Sequence, residues 1–217
     1  GGPFLNTSIS KLKRVNIKNV IDHPNWSMGK KISTDSASMM NKVFEVIEAS
    51  KIFNLNIKKI KIIIHPKSII HALVIFNNGL TKALIHDSNM EIPIFNIIFK
   101  NENINFYKAN NLKLENLNGN NFIKPDKNKF PYISLLKKYK QKNTYYEIIL
   151  VTINDELVNL FLNKKITFLK MQKLLLKIIN NNSLTKYYNK YPKNINDIYT
   201  MVNKVKKYLK KYDYIFK

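Results

Sequence analysis

Beyond about Lys127 the sequence keeps a single period, close to 3.6 residues, which restricts that part of the chain to helices packed on helices. Phe168, Met171, Leu175 and Ile178 recur on one side of a helical pattern. Ile198, Met201, Val202, Val205 and Leu209 do the same further on, with lysines on the opposite faces. Four amphipathic segments are expected, at about 132–142, 145–162, 167–180 and 195–212. Helices that each bury one stripe are satisfied by a small bundle, so residues 127–217 are expected to form a C-terminal four-helix bundle.

The preceding residues follow other rules. Ile69 to Phe76 and Leu80 to Ile85 flank Asn77-Asn78-Gly79, a turn whose residues accept positive φ, so a β-hairpin is expected. Lys58 to Ile64 is rich in Ile and alternates only in part, which suggests a further, buried strand. His65 and His71 stand beside these strands without a helix-spaced partner; they read as packing histidines, and no zinc is assigned. Residues 100–126 are rich in Asn and show no sustained period, which marks a connector. The expected fold class is α+β. Residues 1–99 would hold a small, mainly antiparallel sheet with helices, 100–126 the connector, and 127–217 the bundle.

Residues with chemical potential are densest between His23 and Ala49, HPNWSMGKKISTDSASMMNKVFEVIEA. His23 to Lys31 contains Pro24, Gly29 and the only tryptophan, Trp26, and suits an ordered loop able to cover a ligand. Thr34, Asp35 and Ser36 are three possible N-caps, and Met40, Val43, Phe44 and Ile47 follow at helical spacing, so a helix is expected to begin near Ser36. Opposite that stripe fall Ser38, Asn41, Lys42 and Glu45. This face is either solvated surface or an anion site at a helix start, with Glu45 deeper along the helix as a candidate metal ligand.

Composition narrows the partners. The formal charge is +23, yet Arg14 is the only arginine among 37 basic residues, and lysines spread over nearly every segment. Nucleic-acid readers lean on the arginine fork, so no nucleic-acid partner is expected, and the lysines are attributed to an AT-rich coding bias. No window approaches 18 apolar residues and no signal pattern opens the chain, so no membrane association is expected. With no cysteine, disulfides are excluded, and a cytoplasmic setting in a bacterium or endosymbiont, or a plastid-type organelle, is expected.

The literal residues HPNWSMGKKIS, DSASMMNK and EVIEA resemble the substrate-binding core of 1-deoxy-D-xylulose 5-phosphate reductoisomerase. The likeness extends to Gly1-Gly2-Pro3-Phe4, Ile64-His65-Pro66, Ser68-Ile69-Ile70-His71 and Met90 with Pro93, and weakens beyond about Phe99. That family rearranges a ketose phosphate and reduces the product with NADPH in non-mevalonate isoprenoid biosynthesis, giving 2-C-methyl-D-erythritol 4-phosphate. Such chemistry needs a Lewis acid, a phosphate anchor and exclusion of water. The resemblance implies that Glu45 is catalytic, ligating Mg2+ or Mn2+ and approaching the substrate, and that His23, Ser36, Asn41 and Lys42 bind the phosphorylated sugar. Gly29, Met28 and Met90 would meet NADPH, with Trp26 as lid. It further implies a homodimer and an N-terminal dinucleotide-binding domain that this sequence lacks, so the chain is expected to be a partial enzyme, inactive alone. A non-catalytic remnant and a basic nucleic-acid-binding protein are the alternatives.

Overall fold

A computed structural model describes residues 2–22, 28–100, 114–119, 121–140 and 143–210. The described chain opens with a 3₁₀ turn at Gly2–Phe4 and two short helices, α1 (Ile9–Leu12) and α2 (Ile17–Ile21). The side chain of Asn16 accepts from the Asn19 amide at 3.0 Å and Asn19 reciprocates, which closes the start of α2. Then follow α3 (Lys30–Ser38) and α4 (Met40–Ile52). The expected single helix from Ser36 is thus two helices. The first begins six residues earlier, and Thr34, Asp35 and Ser36 lie inside it rather than capping it.

After α4 come a 3₁₀ turn (Ile57–Lys59), the hairpin strands β1 (Ile70–Ile75) and β2 (Thr81–Ile85), and α5 (Glu91–Ile98). The remainder comprises 3₁₀ segments at Leu114–Leu117 and Pro131–Lys138, then α6 (Tyr145–Leu162), α7 (Phe168–Ile178), the short α8 (Asn182–Thr185) and α9 (Ile195–Lys210). Thr144 and Thr167 cap α6 and α7, accepting from the amides of Tyr146 and Lys170, each at 3.2 Å. The α+β class holds, with helices predominating and one two-stranded antiparallel sheet among the described residues. No helix among them is long and apolar enough to cross a membrane.

Two compact units result. One gathers the described residues of 1–62, apart from 24–27, with those of 125–210; the other is built from residues 63–124. This grouping differs from a division at residues 99 and 127, because the apolar stripe of α4 packs into the same core as the bundle. Met40, Val43, Ile153, Leu157 and Val205 belong to one continuous cluster. In that unit α6 packs on α7 and α9, and α4 on the Pro131–Lys138 segment. The expected first bundle helix is this 3₁₀ segment, whose two buried residues, Tyr132 and Leu135, stand three apart, a spacing the 3₁₀ geometry eclipses onto one line.

The second unit holds the hairpin, in the register Ala72 to Leu84, Leu73 to Ala83 and Ile75 to Thr81, with Gly79 at φ +85° in the turn. The expected strand over Lys58 to Ile64 is not formed. Asn56 accepts from the Lys58 amide at 2.9 Å and starts a 3₁₀ turn instead, and only Ile64 pairs, exchanging bonds of 2.8 and 2.9 Å with Ile123. His71 stacks on His86 with ring centroids 3.7 Å apart, and His65 lies 5.5 Å from the Phe122 ring.

A polar helix face beside a left-handed break

The residues singled out on α3 and α4 are organised by the break between them. Met39 has φ 59° and ψ 22°, a left-handed conformation that costs a residue with a Cβ roughly 1–2 kcal/mol. Full burial of its side chain and three bonds hold it there. The Met39 amide donates to the Ser36 carbonyl at 3.1 Å; Ser38 Oγ donates to the Asp35 carbonyl at 3.2 Å and accepts from the Met40 amide at 3.4 Å. Ser38 is therefore a buried linker between the two helices, not a member of the solvent face to which its spacing assigned it.

Asn41, Lys42 and Glu45 do share an exposed face on the first turns of α4. Lys42 Nζ meets both Glu45 oxygens, at 2.6 and 2.8 Å, and Asn41 Nδ2 reaches Oε1 at 3.5 Å. Both partners of the ion pair are partly exposed, so the pair adds only about 0.2–1 kcal/mol to stability and leaves both charges available to a ligand. Ser36 is buried. A Cβ on Gly2, which has φ +59°, would come within 2.9 Å of the Ser36 carbonyl oxygen, so the start of the chain packs backbone against backbone on the last turn of α3.

Asp35 was legible in the sequence only as a possible cap. It is buried, and its carboxylate is tied twice: Asn154 Nδ2 donates to Oδ1 at 2.8 Å, and Lys31 Nζ to Oδ2 at 2.8 Å. Lys31 also pairs with Asp155 at 3.0 Å and sits 6.0 Å over the ring of Phe44. Burial raises the Asp35 pKa above the ordinary carboxylate value, more than its bonds to Asn154 and Lys31 lower it. Burial works against the Lys31 charge as well, but the two aspartates outweigh it and its pKa rises. The fully buried phenol of Tyr132 is pushed well up by desolvation and by the charge of Asp35. The Asp35–Asn154 bond joins residues 119 apart, a relation that no local period reports.

Gly29 caps α3 at an ordinary φ of −62°, its carbonyl accepting from the Ser33 amide at 3.0 Å, and a Cβ there would meet no described residue within 4 Å. Met28 precedes it, partly buried. Met90, in the other unit, caps α5 and is exposed. His23 and Trp26 lie outside the described residues. Recesses of about 380 and 600 Å³ in the helical unit are lined by side chains other than Asn41, Lys42 and Glu45. Glu45 offers the hard oxygen that Mg2+ or Mn2+ prefers, and its exposure fits it as one ligand. No group of three or more His, Cys, Asp or Glu able to hold a metal occurs among the described residues.

Comparison with known proteins places these observations. Residues 1–53 match the family described as the 1-deoxy-D-xylulose 5-phosphate reductoisomerase C-terminal domain, and residues 86–208 the DXP reductoisomerase C-terminal domain. The 1-deoxy-D-xylulose 5-phosphate reductoisomerase of Pelagibacter ubique (strain HTCC1062) is 50% identical over 198 residues, covering 91% of this chain and 51% of that protein. The enzyme of Anaplasma phagocytophilum (strain HZ) is 38% identical over 184 residues, covering 83% and 47%. A crystal structure of DOX-P reductoisomerase in complex with NADPH, fosmidomycin and magnesium superimposes with a TM-score of 0.86 at 32% identity, over 95% of this chain and 51% of that one. The enzyme from Zymomonas mobilis in complex with NADPH gives 0.81 at 31%, over 94% and 51%. The chain spans about half the length of the relatives it matches. It belongs to the 1-deoxy-D-xylulose 5-phosphate reductoisomerase family, to whose C-terminal domains its two matched segments correspond.

Proposed function

We propose that this chain supplies the phosphate-binding face and one metal-binding carboxylate of an enzyme converting 1-deoxy-D-xylulose 5-phosphate to 2-C-methyl-D-erythritol 4-phosphate with NADPH. The observation that carries the reading is the convergence of Asn41, Lys42 and Glu45 on one exposed face immediately after the break that follows Ser36. In this reading Lys42, Asn41 and Ser36, with His23, bind the sugar phosphate, and Glu45 is one oxygen ligand to Mg2+ or Mn2+. A bound cation would polarise the oxygens of the ketose. The chain's own part is to fix the phosphate by charge and hydrogen bonds, and so to hold the reacting carbons in place. Gly29 supports the NADPH assignment. Neither its φ nor the described residues around it demand glycine, so a closely approaching ligand gives a reason for the missing side chain. Met28 and Met90 would add apolar contacts to the cofactor, and Trp26 would close over it.

Three further parts belong to the proposal. The enzyme works in the cytoplasm, it does not bind nucleic acid, and it is a homodimer. Support for the dimer comes from the hairpin unit, where Leu73, Val74, Ile75, Phe76, Leu80 and Leu84 are all exposed.

Two measurements test it. Inorganic phosphate titrated into the chain should bind, and Lys42→Ala should weaken binding by about 1–3 kcal/mol, the worth of a charge-assisted bond; equal affinity would remove Lys42 from the site. Joined to the N-terminal half of the enzyme, the chain should oxidise NADPH with 1-deoxy-D-xylulose 5-phosphate and a divalent cation, and Glu45→Gln should abolish turnover. Ordinary turnover in that variant would refute the metal role, and no turnover in the unaltered assembly would favour a remnant that keeps the fold alone.

A further inference from the structure

Asp35 is tied in two directions at once. Its side chain joins α3 to α6 through Asn154, 2.8 Å away, and its backbone carbonyl accepts from Ser38 Oγ, which in turn receives the first amide of α4, that of Met40. Lys31 reinforces the joint, bonding Asp35 at 2.8 Å and Asp155 of α6 at 3.0 Å while its ammonium lies over Phe44, the residue before Glu45. Ser36 follows directly and is wedged on its other side by Gly2. A buried carboxylate is a poor choice for stability alone, because desolvation offsets much of what its partners return. Here it ties α3 to α6. Resting on the phosphate-site reading above, we propose that Asp35 is a positioning residue for that site: its buried carboxylate, held by Asn154 and Lys31, sets where Ser36 stands relative to Asn41 and Lys42. Asp35 touches no ligand and acts through the Ser38 bridge and the left-handed turn at Met39.

The test is titration of inorganic phosphate into the chain, followed by phosphorus and amide NMR, beside thermal melts of the same samples. Asp35→Asn preserves size but cannot present two acceptor oxygens to Asn154 and Lys31. It should weaken phosphate by about fivefold or more, on the scale of one hydrogen bond, and shift the amide signals of residues 36–42 more than those of α6. The swap Asp35→Asn with Asn154→Asp restores a carboxylate–amide pair across the joint and should recover affinity to within about twofold of the unaltered chain. Lys31→Met alters a half-exposed side chain and leaves the core intact, so it supplies the answer where Asp35→Asn fails to fold; it too should weaken phosphate. Affinity unchanged in a folded Asp35→Asn or in Lys31→Met, beside a loss in Lys42→Ala, would overturn the positioning role alone. A folded swap that leaves phosphate as weak as in Asp35→Asn would also overturn it. No phosphate binding by the unaltered chain would overturn the site itself and the positioning role with it.

Discussion

Val43, Ile153 and Val205 in the helical unit are wholly shielded from solvent, whereas Ile75, Leu84 and Ile97 in the hairpin unit are 76%, 54% and 77% exposed. The residue types are alike and the difference lies in geometry. A helix needs one stripe covered, and α6 offers its neighbours α7 and α9 to cover it. A two-stranded ribbon has two faces and two open edges, and rarely stands alone in water. The helical unit therefore buries its apolar stripes within itself, while the hairpin unit leaves apolar side chains exposed.

The contrast is most severely tested in the core. Leu157→Ala removes a fully buried side chain and should destabilise the chain by about 2–5 kcal/mol in chemical denaturation; a loss under about 1 kcal/mol would mean that the bundle core is loosely packed. Next is Gly2→Ala, which places a Cβ 2.9 Å from the Ser36 carbonyl oxygen at positive φ. It should lower stability by about 1–3 kcal/mol and weaken phosphate in parallel. If the melting temperature and phosphate affinity both stayed put, the contact on α3 would not constrain the site.

A smaller effect is expected from pH. The folded-state pKa of Asp35 lies above its unfolded value, so the folded form binds the extra proton between the two, and this residue's contribution to stability falls as pH rises through that window. Lys31, Asp155, Asn154 and Tyr132 face the carboxylate, and Lys31 stays charged throughout because its own pKa is raised. Stability curves of the unaltered chain and Asp35→Asn should therefore diverge as pH climbs from about 4, the unaltered chain losing ground, and run parallel higher up; parallel curves throughout would show a carboxylate without net penalty. Smallest of all is Ile75→Lys in the hairpin, expected to change monomer stability by no more than about 0.5 kcal/mol while lowering the dimer fraction in light scattering. Strong destabilisation of the monomer instead would show that the hairpin is packed within its own chain.

What could be read beforehand follows the same division. Phe168, Met171, Leu175 and Ile178 announced α7 because a repeating stripe is local information, and Asn78-Gly79 announced the hairpin turn by backbone chemistry alone. Asn41, Lys42 and Glu45 came from helical spacing, and their shared face is the part of the candidate site that spacing can deliver. The break at Met39 was hidden, since methionine carries no preference for positive φ, and burial, its amide bond to Ser36 and the Ser38 bonds hold it there. Asp35 was hidden because its partner lies on another helix, and Lys58 to Ile64 misled because isoleucines suit a strand only where a partner strand is present on the edge.

The pairing of Ile64 with Ile123 has a consequence for how the molecule forms. The helical unit is discontinuous: Asn154 reaches back 119 residues to Asp35, and Lys129 donates to the Leu5 carbonyl across 124. Bonds of that span form only once a long loop has closed, a cost in chain entropy that must be met before those contacts are made. Two hydrogen bonds between Ile64 and Ile123 bring the outgoing and returning chain side by side, as at the neck of an inserted domain. Because closure entropy grows only with the logarithm of loop length, the inserted segment can vary in size with little effect on the helical core, provided that neck still forms.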